Sequence, residues 1–275
     1  MDGVPVPNGF HHLEGTKETG FVIKNDTDEN EFVWVPVAGM GYEYNRGAWV
    51  GNNTAQVSEG IEDESKSEKI KQSSSEKSYY IESIPEDEKA SVESYGGYYI
   101  ARYEAGIRGG ERRSIDTSAT VESVEKESGK PLSQKDKYQY NYVTRIQAQG
   151  LAENMYVKEI DKVTSKLCSS YAWDTALKFI QTQNTEYPTN SIGGNYSSVL
   201  QKTGQDTTHP CNIYDMGGSV WEWTTEYSPD FHYGNVSRGG DYQLDGYTKV
   251  PASCRYGSSW DTANTNIGFR VTLYL

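Results

Sequence analysis

Two short apolar runs near the amino end set the first element of the fold. Thr19-Gly-Phe-Val-Ile-Lys24 and Glu31-Phe-Val-Trp-Val-Pro-Val37 flank Asn25-Asp-Thr-Asp-Glu-Asn30, a polar block of turn formers, and this arrangement predicts a β-hairpin. Between Val57 and Ser94 the chain turns to Ser, Glu, Lys and Asp, and Ser65 to Ser78 holds one large apolar residue, Ile70. Such a stretch buries too little surface to offset its ordering entropy, so a polar, mobile or partly helical insertion outside the core is expected there. The pattern recovers at Tyr95-Gly-Gly-Tyr-Tyr-Ile-Ala-Arg-Tyr-Glu104, which predicts a buried strand. Ile107 to Lys137 is polar again.

Trp173, Ala176, Leu177 and Ile180 recur at i, i+3, i+4 and i+7 and predict a core-facing helix over about 170–183, with Ser170 as its cap. A weaker helical pattern runs from about Asn141 to Ala152. Beyond Pro210 the pattern is one of short strands between Gly, Asn, Asp and Ser turns, closing on a strand over Gly268-Phe-Arg-Val-Thr-Leu-Tyr274. No repeat of about 20 to 50 residues is visible, which excludes solenoids and propellers. The expectation is a single domain over 1–275 with the polar insertion around 57–94.

Composition narrows the function. Hydrophobic residues make up 35% of the chain, yet 22 tyrosines and 6 tryptophans supply side chains with a buried ring and a polar tip, suited to irregular loops and binding faces. A formal charge of −13 repels phosphate backbones and anionic membrane surfaces, so nucleic acid is not expected as a partner. Direct membrane insertion is not expected either, because no apolar run of about 18 residues exists. The opening Met1-Asp-Gly-Val-Pro-Val-Pro7 lacks the pattern of a signal peptide and reads as an extended linker from something upstream. Cys168, Cys211 and Cys254 are widely spaced and odd in number, which predicts buried free thiols, with oxidation of one pair left open outside the cell. The histidines His11, His12, His209 and His232 show no metal-ligand spacing.

Five blocks in this order, Tyr98-Tyr-Ile-Ala-Arg-Tyr-Glu104, Tyr171-Ala-Trp-Asp-Thr-Ala-Leu177, Ile213-Tyr-Asp-Met-Gly-Gly-Ser-Val-Trp-Glu-Trp223, Arg238-Gly-Gly240 and Gly268-Phe-Arg270, resemble the formylglycine-generating enzyme (sulfatase-modifying factor) family. The resemblance implies an α+β fold of the C-type lectin-like, formylglycine-generating-enzyme type. This is a small twisted antiparallel sheet with flanking helices and long irregular loops. The blocks make physical sense as scaffold. Trp221 and Trp223, two apart on an extended segment, share a face, Gly217-Gly218 permits the turn before them, and Arg238 and Arg270 can tie loops to carboxylates or carbonyls.

Family enzymes oxidise a substrate cysteine with copper and two cysteines that lie shortly after the Arg-Gly-Gly block. Here Asp241-Tyr-Gln-Leu-Asp-Gly-Tyr-Thr-Lys-Val250 holds none, and Cys254 comes later and alone. A copper–thiolate site needs soft sulfur ligands, so no catalytic residues and no cofactor are expected. Some members hold structural calcium near the Trp-Glu-Trp block, which makes Glu222 a candidate ligand, although Ser219 stands where those members have asparagine.

Without its cysteines the same surface resembles that of the variable proteins of diversity-generating retroelements, which display a changing binding face on this fold. The expected ligand-binding residues are Asp241, Tyr242, Leu244, Asp245, Tyr247, Tyr256, Ser258, Trp260, Asp261 and Asn264, with Ser259 and Asn266 beside them. Tyr and Trp give rigid contact area while Ser, Asn and Asp give adaptable hydrogen bonds. The resulting expectation is a non-catalytic protein that binds a protein or cell-surface ligand, on a virion or bacterial surface if the retroelement likeness holds. The alternatives are a copper-dependent oxidase with relocated catalytic residues and a structural surface domain.

Overall fold

The computed structural model describes residues 3–46, 61–64, 67–71, 79–83, 85–114, 119–158, 162–227, 234–244 and 250–275. The predicted hairpin forms: β1 (Phe10–Glu14), β2 (Val22–Asn25) and β3 (Glu31–Pro36) are antiparallel neighbours. Asn25 builds the turn, since its Oδ1 accepts from the N–H groups of Thr27 at 2.8 Å and Asp28 at 3.1 Å. Next come β4 (Ile61–Glu64), β5 (Ser67–Lys71), β6 (Tyr79–Ser83), α1 (Glu86–Tyr95) and β7 (Gly97–Ala101). They are followed by α2 (Val121–Ser128), α3 (Arg145–Glu153), β8 (Thr164–Leu167) and α4 (Ser170–Gln181). The strands β9 (Trp221–Tyr227), β10 (Asn235–Arg238), β11 (Arg255–Ser258), β12 (Ile267–Phe269) and β13 (Val271–Tyr274) complete the chain.

One sheet runs β1-β2-β3-β7-β13-β8 with every pairing antiparallel. Its central strands carry apolar residues on both faces because both faces are covered. Phe32, Trp34, Tyr99 and Ala101 pack with α3 residues Ala148, Leu151 and Ala152 and with Trp223 and Phe269. The alternate residues Val33, Val35, Tyr98 and Ile100 pack with α4 residues Trp173, Ala176, Leu177 and Ile180. The period of two along β3 and β7 thus sorts one strand into two cores. A second sheet runs β11-β10-β9-β6-β5-β4, and β12 joins it parallel to β9, so the described residues give the expected α+β fold with its antiparallel strands shared between two sheets.

Three boundaries differ from the sequence reading for physical reasons. The helix cap is Ser169, whose Oγ accepts from Ala172 N–H at 3.1 Å. Ser170 is instead the first helical residue, and its hydroxyl donates to Glu226. The weaker helix begins at Arg145 behind a Thr144–Gln147 capping box, because Asn141 spends its side chain on the Thr265 carbonyl. The expected final strand splits at Arg270 into β12 and β13, one in each sheet.

The polar region 57–94 carries regular structure where it is described. Its described backbone holds β4, β5, β6 and α1, and Glu82 and Glu88 are buried. Glu88 accepts hydrogen bonds from Tyr44, Ser169 and Tyr274 hydroxyls at 2.7 to 2.9 Å. A count of apolar residues overlooks a carboxylate buried by hydrogen bonding.

Leu177 is fully buried between α4 and the sheet. Leu177→Ala should lower unfolding free energy by about 2–5 kcal/mol, seen as a lower urea midpoint at unchanged slope.

Candidate functional site

The loops between β10 and β12 rest on a buried charge network. Arg238 Nη2 donates to Asp174 Oδ1 at 2.5 Å and to the Ser253 carbonyl at 3.0 Å, while its Nε donates to the Cys254 carbonyl at 3.1 Å. Arg255 bridges Asp174 Oδ2 at 2.5 Å and Glu226 Oε2 at 2.9 Å, and Arg46 reaches Glu226 Oε1 at 2.6 Å. These side chains are almost wholly excluded from solvent. Burial pushes the Glu226 carboxyl up, but Arg255 and Arg46 outweigh it and hold it below its ordinary value. Glu82 beside them goes the other way: burial dominates, Arg46 offsets it only in part, and its pKa is pushed up to about 8.

Arg238 leads into Gly239 and Gly240, both in the left-handed region. A Cβ on Gly239 would lie 2.9 Å from the Met216 carbonyl and 3.3 Å from the Trp173 ring, so the Arg-Gly-Gly block needs glycine to turn against α4. Past this turn the chain walls a cavity of 640 Å³ lined by Trp221, Asp241, Leu244, Val250, Cys254, Tyr256, Gly257, Ser258, Ser259, Thr262, Asn264, Asn266 and Ile267.

The walls are held by their backbone. Tyr196 Oη donates to the Val250 carbonyl at 2.8 Å, Trp173 Nε1 to the Ala252 carbonyl at 2.9 Å, and Arg238 to the next two carbonyls. On the opposite side Tyr142 N–H reaches the Asn264 carbonyl at 3.1 Å, Asn141 Nδ2 the Thr265 carbonyl at 2.8 Å, and Trp221 N–H the Asn266 carbonyl at 2.8 Å. Inside, Trp221 and Tyr256 stack with ring centroids 5.2 Å apart and planes 29° apart. Asp241 is 4% exposed; its Oδ1 accepts from Gln243 N–H at 2.9 Å and its Oδ2 from Asn266 Nδ2 at 2.7 Å.

Among the residues expected to bind ligand, Asp241, Leu244, Tyr256, Ser258 and Asn264 line this cavity, as do Ser259 and Asn266. Tyr242 lies outside the lining, its backbone tied to Ser219 and Ser198. Trp260 and Asp261 are exposed on the turn after β11, with Ser259 Oγ donating to Asp261 at 2.5 Å. Asp245 and Tyr247 lie outside the described residues. Sequence reasoning missed Trp221, Val250, Cys254, Gly257, Thr262 and Ile267 as lining. Trp221 reads as core by its spacing from Trp223, and both do pack in the core, but Trp221, at the start of β9, also reaches the cavity.

Glu222, the candidate calcium ligand, points away from Trp221 and Trp223 and is buried against Arg270. Both of its carboxylate oxygens accept from the guanidinium, at 2.8 to 3.2 Å. Ser219, at the asparagine position, donates instead to Glu104 at 2.6 Å. Burial raises the Glu222 carboxyl despite Arg270, and raises Glu104 further because Asp215 and Glu222 add like charge. The three cysteines are free and buried. Cys168 and Cys211 sit in the core on the α4 side and Cys254 in the other. Burial pushes the Cys211 thiol up to about 12 and that of Cys168 further. His11 turns to Asp26 and His12 stacks on Phe21; His209 stacks on Tyr214, and His232 lies outside the described residues. Among the described residues no cluster of three or more His, Cys, Asp or Glu could hold a metal, and no helix is long and apolar enough to cross a membrane.

Residues 158–274 match the family model described as the sulfatase-modifying factor enzyme 1-like domain. Among solved structures, PvdO from Pseudomonas aeruginosa is 14% identical, with 94% of this chain and 100% of that one covered at a TM-score of 0.52. Treponema denticola variable protein 1 is 14% identical over 90% of this chain and 96% of its own at 0.44. CarF is 15% identical over 65% and 87% at 0.43. No curated protein matches the chain. The overall α+β fold is thus like that of PvdO, and residues 158–274 resemble the sulfatase-modifying factor enzyme 1-like domain.

Two measurements test the network beneath the site. Asp174→Ala removes the carboxylate that Arg238 and Arg255 share and should cost about 3–5 kcal/mol in chemical denaturation. Glu82 stabilises the fold while protonated, and that contribution is lost as pH rises through its folded value of about 8. Glu82→Gln keeps the neutral form, so it should gain on the natural protein steadily between about pH 5 and pH 8; parallel stability curves would contradict the assignment.

Proposed function

We propose that this chain is a non-catalytic ligand- or receptor-binding protein and that the cavity between the Arg-Gly-Gly and Gly-Phe-Arg blocks is its recognition site. The observation that carries the reading is how the walls are held: Val250, Ala252, Ser253, Cys254, Asn264, Thr265 and Asn266 are all anchored through their carbonyls. Side chains that face the cavity are largely spared from that work. Tyr256, Ser258 and Asn264 can therefore change without unpinning the loops, as a face built for altered specificity requires.

The lining supports recognition over oxidation. It offers a single thiol, Cys254, together with an aromatic stack and neutral hydroxyls and amides, which is the mixture of binding loops. No cofactor is assigned to it. The finer reading is a variable protein of a diversity-generating retroelement, displayed on a virion or bacterial surface and facing a protein or cell-surface ligand. Sequencing the surrounding locus tests it: absence of a reverse transcriptase gene and of a near-copy of the codons for 241–267 would remove the retroelement part and leave the cavity.

A random peptide library displayed on phage and panned against the immobilised chain tests the face formed by the cavity and the adjoining turn that carries Trp260. Tyr256 and Trp260 are 57% and 68% exposed, so the double variant Tyr256→Ala, Trp260→Ala should keep its stability within roughly 1 kcal/mol. It should lose selected binders by about 30-fold or more. Binders that hold equally to the variant would favour a structural surface domain.

A further inference from the structure

We propose that a second cavity, walled by α1, α3, β6, β8 and β9, binds a primary aliphatic ammonium group. It measures 370 Å³ and shares no lining residue with the cavity between β10 and β12, so it stands or falls independently of the recognition site there. Its walls carry three carboxylates, Glu82, Glu88 and Glu153, against one cation, Lys166. That cation is already engaged, since Lys166 Nζ donates to Asp87 and lies 3.8 Å from Glu88 Oε1. Acidic side chains alone would mark only a solvated recess, and it is Glu82 that makes this one a site. It is 6% exposed; its Oε1 accepts from the Thr225 hydroxyl and from the Ser170 N–H at 3.3 Å, while its Oε2 is shut from solvent with no hydrogen-bond partner. Buried polar atoms are normally satisfied, and one left bare in a cavity wall is a place for a donor from outside.

The charged groups around Glu82 come from each element packed on it: Arg46 from the loop after β3, Glu226 from β9, Glu88 from α1 and Arg145 from α3. Arg46 is held by Glu226, and Arg145 stays outside the described lining with its own Nε unpartnered, so neither fills the place beside Oε2. Burial therefore dominates and pushes the Glu82 carboxyl up to about 8; an adjoining ammonium favours the ionised form and drives the proton off. The described lining holds no Phe, Tyr or Trp, so it has no flat face on which a guanidinium stacks. Among the described residues no group of three or more His, Cys, Asp or Glu could hold a metal. What the walls supply is acceptors from three elements. They are Glu82 Oε2 on β6, the Glu88 Oε1 that remains after three hydroxyls bond Oε2, and the carbonyl of Gln149, whose Nε2 donates to Glu153 at 2.9 Å. A compact ammonium with three rotatable donors suits such a set, and Pro85 and Leu167 give its alkyl stem an apolar wall.

Calorimetric titration of the full chain at pH 7 tests the site, with butane-1,4-diamine as one probe and a Gly-Lys-Gly peptide blocked at both ends as the other. A probe that fits should bind with Kd on the order of 0.1–1 mM, whereas butane-1,4-diol, equal in length and uncharged, should not bind. Repeated in buffers of different ionisation enthalpy, the titration should show release of up to about one proton per site. Glu82→Gln keeps the neutral shape of the side chain and is expected to fold at least as well as the natural protein, which its melting temperature checks. It should weaken binding at least about tenfold and abolish the proton release. Binding of the diamine alone assigns the ammonium to a free amine, and binding of the peptide assigns it to a lysine side chain of a partner; either result supports the site. Heat from neither probe, equal binding of the diol, binding without proton release, or an affinity that Glu82→Gln leaves unchanged would overturn it.

Discussion

Arg270 sits where the chain leaves one sheet for the other, and its bonds join what those sheets would otherwise leave apart. It separates β12, paired with β9, from β13, paired with β7 and β8. From that point it grips Glu222 on β9 through both carboxylate oxygens and donates to the carbonyls of Ala101 at 2.9 Å and Tyr214 at 2.8 Å. A buried guanidinium is costly to desolvate, and these partners are the condition for its being there. The same alternation that turns Glu222 toward Arg270 turns Trp221 and Trp223 the other way into the core. Sheet junction, core and cavity are thereby set from one three-residue segment.

A second buried network does the equivalent for the loops. Asp174, reached by Arg238 and Arg255, ties α4 to β10 and β11, and Arg238 extends the tie to the backbone of 253–254. Because Glu226 also serves Arg46 and Arg255, removal of one member weakens the pairing of the others. Such coupling makes the floor of the site rigid at the expense of tolerance within the floor itself. The lining above it is mostly exempt, and Asp241 is the exception, since its carboxylate both lines the cavity and fixes the 241–243 turn and Asn266.

Much of this was legible in the sequence because it is written in periodicity. The turn formers of 25–30 fix the hairpin, the spacing of Trp173 to Ile180 fixes α4, and the Trp-Glu-Trp segment announces a strand with one charged face. Hydrogen-bonded polar burial was not legible: Glu82 and Glu88 look like solvated residues until Ser169, Thr225, Tyr44 and Tyr274 are brought to them from distant segments. The same limit explains the cavity. The interval after Arg-Gly-Gly was identifiable by residue type, whereas the contribution of Trp221, Thr262 and Ile267 depends on the parallel pairing of β12 with β9, a long-range contact that no local pattern encodes.

Division of labour between backbone and side chain bears on why a fold with this family signature can serve recognition. Oxidation by a thiolate pair requires two sulfurs within reach of one metal, and a change at either ends the chemistry. In this chain the cysteines are separated between two cores, and burial holds Cys168 and Cys211 as thiols. Recognition imposes a weaker demand, a cavity that stays open while its lining changes. Carbonyl anchoring meets that demand directly, since a carbonyl is present whatever side chain the residue carries. The separation of Cys254 from Cys168 and Cys211 and the carbonyl anchoring of the loops between Arg238 and Arg270 are independent features, and together they favour the proposed recognition over oxidation by a thiolate pair.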